Sequence, residues 1–220
     1  MKKKLSTRNR ILINVAVVLA VVVAVAIVVF ATRTPSNPAA SGDSPQTVRE
    51  NSHRLSTAED GKVTLVEFLD FECEACGAAY PAIEQLREEY AGRVTFVARY
   101  FPIPSHTNAQ NSALAAEAAA RQGKFEEMYS KLFETQSVWG EQPDSRAADF
   151  RVIAQEIGLD LEQYDADIVD PAVLERITAD QEEGAALGVQ GTPTFFLNGE
   201  KLEISTLEDL RGAIDKAVQE

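Results

Sequence analysis

The chain has 220 residues, 45% of them hydrophobic and 25% charged, with two cysteines and a formal net charge of −13. That length allows one ordinary domain with residues to spare, and the composition excludes a wholly disordered or collagen-like chain. Residues 1–33 hold six cations and no acid, which leaves 15 cations against 34 acids beyond them, −19 in all; such a surface repels phosphate backbones, so nucleic acid is excluded as a partner.

Residues 1–10 form a basic segment, and residues 11–31 are an apolar run whose only strongly polar member is Asn14. As a helix the run spans about 31 Å, the thickness of a bilayer's hydrocarbon core. Five cations precede it and one follows, so the positive-inside bias keeps the N-terminus in the cytoplasm and sends the rest outward. A cleaved signal peptide is the competing reading, with Val29-Phe30-Ala31 at the cleavage position. The run exceeds the roughly 7–15 residues of a signal core, which favours a retained anchor in the plasma membrane. Residues 32–51, rich in proline, serine and small polar residues, read as a flexible tether.

A domain is expected over residues 52–220. Residues 63–69 (VTLVEFL) read as a buried strand, and Tyr80, Ile83, Leu86 and Tyr90 then recur at helical steps until Gly92. Residues 94–101 make a second strand, closed by Pro102 and Pro104, so the first two strands are parallel with a right-handed crossover. Several helices without a strand follow, at 108–122, 124–135, 146–157, 161–169 and 171–187, with Gly158, Asp160, Asp170 and Gly188 at their stops and caps. Strand character returns at 194–197, then an Asn198-Gly199 hairpin turn and a partner strand over 201–204. A last helix begins at the cap Thr206, with Asp209 three positions on. The fold class is α/β, a sheet split by a helical insertion over 105–188 and preceded by one transmembrane helix.

Cys73-Glu74-Ala75-Cys76 lies where a strand hands over to a helix. At a helix start the first cysteine meets unpaired N–H groups and the positive end of the helix dipole, which stabilise a thiolate, the species that exchanges disulfides. A structural bridge across so short a loop would restrict the unfolded chain little. Zinc would need two further ligands, and His53 and His106 lack metal-type spacing, so no metal is expected. Two inert thiols suit the cytosol better than the outside of a cell.

The chain resembles the DsbA-like thiol–disulfide oxidoreductases of the thioredoxin superfamily, in a membrane-tethered bacterial form. The likeness rests on the run from Val66 to Cys76, on Phe101-Pro102 with His106, Ala116-Glu117-Ala118 and Gln122-Gly123-Lys124-Phe125, and on Val189-Gln190-Gly191-Thr192-Pro193-Thr194-Phe195. It implies a thioredoxin-like fold with an inserted helical domain and no cofactor. It implies that Cys73 is attacked by a substrate thiolate and that Cys76 completes the redox pair. Thr192 and Pro193 would bind an extended substrate as an added strand. Reduced exported proteins would be the substrates, an integral-membrane quinone-linked reoxidase the partner, and the protein a monomer. A disulfide reductase or isomerase on the same fold is the alternative, and a non-catalytic peptide-binding or chaperone module the second.

Oxidising members often carry Pro-His between the cysteines, whereas this chain has Glu74-Ala75. An acid there opposes the thiolate, so Glu74 is expected to modulate the pKa of Cys73 and weaken its oxidising power; Asp70 and Glu72 add negative charge or are simply solvated. Strand alternation sets Glu67 on the face of Leu65 and Leu69. The resemblance assigns it the buried acid beneath Cys76 that shuttles that thiol's proton. Asp160, Glu162, Asp165, Asp167 and Asp170 read as a solvated helix face, and Trp139, Met128, Phe125 and Phe133 as insertion core. His106 reads as structural, and His53, at the tether boundary, is given no role.

Overall fold

The computed structural model describes residues 44–220. The expected membrane segment, residues 11–31, lies outside them, and among the described residues no helix is long and apolar enough to cross a membrane.

Residues 45–220 form one compact unit built on a five-stranded sheet of order β1-β3-β2-β4-β5. The strands are β1 (His53–Ser56), β2 (Thr64–Leu69), β3 (Thr95–Tyr100), β4 (Thr194–Leu197) and β5 (Glu200–Lys201). β2 and β3 are parallel, Thr64 opposite Thr95 through Leu69 opposite Tyr100, with α1 (Glu74–Glu89) between them in sequence. The other pairings are antiparallel. Both parallel strands are buried almost throughout, as a sheet covered on two faces requires. Leu65 and Leu69 point into the larger core with Phe96, Ala98 and Tyr100, while Val66 and Phe68 point into a smaller one with Val97, Val189 and Phe196.

Six helices separate β3 from β4: α2 (Ala109–Arg121), α3 (Phe125–Glu134), α4 (Gln136–Trp139), α5 (Ala147–Glu156), α6 (Leu161–Asp167) and α7 (Pro171–Ala186). α8 (Leu207–Gln219) closes the chain behind the expected Thr206–Asp209 capping box. Alanine lets α2 pack closely, with Ala115, Ala116, Ala118 and Ala119 fully buried. α7 crosses the sheet at Gly184, where a Cβ would lie 2.9 Å from the Phe68 ring. Trp139, Met128 and Phe133 are buried in the main core as expected, and Phe125 packs against it.

Four expectations are corrected. The tether does not extend to residue 51, because its last part is bound into the domain. Arg99, buried on β3, pairs with Asp180 and Glu183 of α7 and donates to the carbonyls of Gln46 and Thr47, while Arg49 pairs with Glu183. His53, given no role, is a strand residue stacked on Phe125 at 3.8 Å, its Nε2 2.7 Å from Glu117 Oε2. The hairpin partner is two residues long instead of four. Asn198 and Gly199 both take positive φ, and after Glu200 and Lys201 the chain leaves the sheet, with Leu202 and Ile204 packed on the core. Last, the acids of 160–170 are not one solvated face: Asp160 and Asp170 cap α6 and α7, as their positions led one to expect, but Asp167 is buried against Arg121 at 2.7 Å.

Candidate active site

β2 delivers the chain to a turn, Asp70 to Glu72, and Cys73 follows as the N-cap of α1 in extended backbone (φ −65°, ψ 120°). Its N–H donates to Asp70 O at 3.1 Å and its carbonyl accepts from Gly77 N at 3.0 Å. Across a sequence gap of 119 residues, the Cys73 thiol donates to the carbonyl of Thr192 at 3.3 Å. The Thr192–Pro193 bond is cis. Structure therefore brings Cys73, Cys76, Thr192 and Pro193 to one end of the sheet, with both cysteines present as thiols.

The two sulfurs differ in environment. Cys76, 1% exposed, is pushed well above the ordinary thiol range, first by burial, then by its hydrogen bond to Cys73 and the charges of Glu67 and Cys73. Cys73 falls to about 5. The hydrogen bond from the Cys76 thiol is the main cause; desolvation opposes it, and the Thr192 hydroxyl and the N–H groups of Cys76 and Ala75 assist it. Thr192 Oγ1 is buried without a partner among the described residues while Cys73 is a thiol, and so is available to the thiolate.

Glu67 is 7% exposed within β2, and no hydrogen bond reaches its carboxyl among the described residues. Burial, then the charges of Glu84 and Cys73, push its pKa up to about 8. Glu74, by contrast, is exposed in the first turn of α1. Cys73 falls to about 5 with that acid beside it, and the causes of the shift are the hydrogen bonds above, not the charge of Glu74. Asp70 and Glu72 are not solvated either; they are 2% and 3% exposed. Asp70 accepts from the N–H groups of Glu72 and Ile103, and Glu72 from those of Asn108 and Glu141, so each ties the active-site turn to a loop of the insertion.

Two residues missed or set aside in the sequence border the cysteines. Gln136, which opens α4, donates through Nε2 to the carbonyls of Phe71 and Cys73 at 2.7 and 2.9 Å. His106 donates from Nδ1 to Asp70 Oδ2 at 2.7 Å and lines an opening of about 460 Å³ with Cys73, Glu74 and Glu141. An isolated glutamine carries no sequence signal for this role, and a lone histidine after a strand carries a weak one. Pro193 itself borders an apolar recess of about 340 Å³, walled also by Ala75, Ala79, Phe195, Ile204 and Leu207. Among the described residues no group of three or more His, Cys, Asp or Glu is placed to hold a metal ion.

A family model described as Thioredoxin matches residues 52–216. A thioredoxin-like oxidoreductase from Silicibacter pomeroyi DSS-3 superposes with a TM-score of 0.65 at 29% identity, over 82% of this chain and 99% of that one. BdbD from Bacillus subtilis gives 0.71 at 20% identity over 80% and 98%, a likeness of fold. The thiol-disulfide exchange protein α-DsbA2 from Wolbachia pipientis gives 0.61 at 27% identity over 73% and 84%. Among curated sequences, the Na(+)/H(+) antiporter NhaA 1 of Mycobacterium sp. strain KMS is 38% identical over 145 residues, 64% of this chain. That of Salinispora arenicola strain CNS-205 is 36% identical over 160 residues, 72% of this chain. The matches cover 23% and 24% of those proteins, so the chain spans about a quarter of the length of the curated relatives. The cysteine pair at its helix start and the turn that faces it are thus set in a matched fold, and the chain belongs to the thioredoxin family.

Proposed function

We propose that the protein oxidises cysteine pairs in exported proteins, held to the plasma membrane by residues 11–31 with its domain outside the cytoplasm. One observation carries the direction of the reaction. The Cys76 thiol, the Thr192 hydroxyl and the N–H groups of Cys76 and Ala75 support charge on Cys73, whereas Cys76 is enclosed above an unpaired carboxyl and has only the Asp70 backbone in its favour. A stabilised Cys73 thiolate favours the reduced enzyme, and an enzyme that prefers to be reduced drives oxidation of its substrates.

In the forward reaction a substrate thiolate attacks Cys73 Sγ of the Cys73–Cys76 disulfide. Cys76 leaves with the bonding pair and is protonated from Glu67. The substrate's second thiolate then attacks its own sulfur in the mixed disulfide, and Cys73 leaves as the stabilised thiolate. Thr192 and Pro193 seat the substrate backbone as an added strand. An integral-membrane, quinone-linked partner restores the Cys73–Cys76 bond. Sodium–proton antiport is not carried over from the curated relatives, since three quarters of their length lies outside the match.

The test is equilibration of the full chain with glutathione buffers. A potential on the oxidising side of about −180 mV, the range of disulfide isomerases and stronger oxidants, supports the reading. A value near the roughly −270 mV of thioredoxin transfers the protein to the reductases.

A further inference from the structure

The opening beside Cys73 contains an acid–base group that the cysteine chemistry so far leaves idle. His106 is fixed at its backbone by a bond to Ile103 O and at its ring by Nδ1 on Asp70, whose side chain is fully buried. Asp70 is held by two further N–H donors, so the ring cannot swing without losing a charge-assisted bond. The imidazole itself is 30% exposed, and no hydrogen-bond partner reaches its second nitrogen among the described residues. With Nδ1 donating to the carboxylate, Nε2 is left as an acceptor, in an opening it shares with Cys73.

We propose that His106 is a catalytic general base that takes the proton of each incoming substrate thiol at Cys73. This rests on the oxidase reading above. A substrate needs a base because Cys73, as leaving group, offers none, and Glu67 is enclosed on the Cys76 side of the pair. In the first step the thiol proton passes to His106 Nε2, the sulfur attacks Cys73, and the Cys73–Cys76 bond breaks. Cys76 takes the electron pair and a proton from Glu67, which regains one from solvent. In the second step the other thiol gives its proton to His106, the substrate disulfide forms, and the bond to Cys73 breaks. The substrate loses two electrons and two protons. The enzyme pair gains the electrons and keeps one proton on Cys76, while His106 passes its protons to solvent. Asp70 supports the imidazolium in each step.

The ceiling on this assistance follows from thiol acidity. A thiol of ordinary pKa, about 8.5, is roughly 3% ionised at pH 7, so a base contributes at most about 30-fold there. The titratable groups facing the ring are Asp70 behind it and Glu72, Cys73, Glu74 and Glu141 around the opening, so the readout has to separate His106 from all of these. The experiment compares two reductants of the oxidised full chain, in wild type, His106→Gln and His106→Asn. One is a peptide dithiol of ordinary acidity, and the other a nitro-substituted aromatic thiolate, ionised across the range. The variants are expected to be about tenfold slower with the peptide at pH 7, the gap closing towards pH 9, and within twofold of wild type with the aromatic thiolate. Neighbouring carboxylates change in none of these proteins, so they cancel between the two reductants. Equal losses with both reductants, or no loss with either, would overturn the role of His106. A wild type that fails to oxidise the peptide at any pH sinks the oxidase reading instead.

Discussion

Gly77 and the amide of Gln136 share one space: a Cβ on Gly77 would lie 2.0 Å from Gln136 Oε1. The same amide bonds the carbonyls of Phe71 and Cys73, so a helix of the insertion clamps the active-site turn through a gap that only glycine leaves open. Gly77→Ala alone gains about 1 kcal/mol of helix propensity but displaces bonds worth about 1 kcal/mol each, and the net expected loss is about 1 kcal/mol. In a Gln136→Ala background the sign reverses, and Gly77→Ala stabilises by about 1 kcal/mol. A denaturant double-mutant cycle measures this directly, and additive effects would show that the two residues do not meet.

The cysteines are expected to differ in reactivity with iodoacetamide. Reduced wild type should be alkylated at Cys73 with a half-maximal rate near pH 5, while Cys76 stays unreactive through neutral pH. Cys76→Ser should accumulate mixed disulfides with substrate proteins through Cys73, and Cys73→Ser few. Because Glu74 is exposed, Glu74→His should move the Cys73 midpoint down by less than about half a unit. Equal alkylation of both thiols at pH 7 would remove the asymmetry on which the oxidising direction rests.

What could be read from the chain alone was local. The parallel pair β2–β3, the helix boundaries and the caps Asp160, Asp170 and Thr206 follow from period, proline, glycine and capping side chains within a few residues. The cysteine pair carried its own context, a strand before and a helix after. Pairings across long gaps stayed hidden in the residues themselves: Asp70 with His106 over 36 residues and Arg99 with Asp180 over 81, while only the resemblance set Thr192 beside Cys73 across 119. β1 was missed because His53-Arg54-Leu55-Ser56 has one apolar residue; it holds its place by pairing at the edge of β3 and by the His53 stack on Phe125.

Arg99 binds the start of the domain to its sheet, and its removal should be costly. Arg99→Met removes the cation shared by buried Asp180 and half-buried Glu183, which keep Arg176 and Arg49, for an expected loss of about 1.5–3 kcal/mol. Residues 45–48, released from the Arg99 guanidinium, should become newly open to limited proteolysis that the wild type resists there. Glu183 gives the pH sign. Desolvation would raise its pKa, but Arg49, the N–H of Gln46 and Arg99 hold it at about 2. Its contribution is therefore present above its ordinary value near 4.5 and is lost as pH falls through about 2. Glu183→Gln should flatten the acid limb of the melting curve there, and an unchanged limb would deny the network its stabilising role.

Glu67 is the residue where stability and catalysis oppose each other. Its carboxyl faces the main core, without a cation or hydrogen-bond partner among the described residues, and is pushed up to about 8 by burial, then by Glu84 and Cys73. A carboxyl whose folded pKa exceeds its unfolded value contributes its full stability below about 4.5 and loses it as pH rises through about 8. Glu67→Gln, which mimics the protonated form, should match wild type in acid and surpass it above pH 8, by an amount on the order of a few kcal/mol. Mixed-disulfide resolution should move the other way. When Cys76 attacks, its proton needs an acceptor inside the protein, and ionised Glu67 is the group whose charge already acts on it. Wild-type resolution by Cys76 should therefore accelerate as pH passes through about 8, while Glu67→Gln loses that rise and is slower by the 10²–10⁴-fold typical of a missing acid–base group. Stopped-flow resolution across pH, paired with denaturant melts of the same two proteins, reads both trends. A variant that is more stable in alkali yet resolves at the wild-type rate would leave Glu67 a buried liability with no part in the proton transfer.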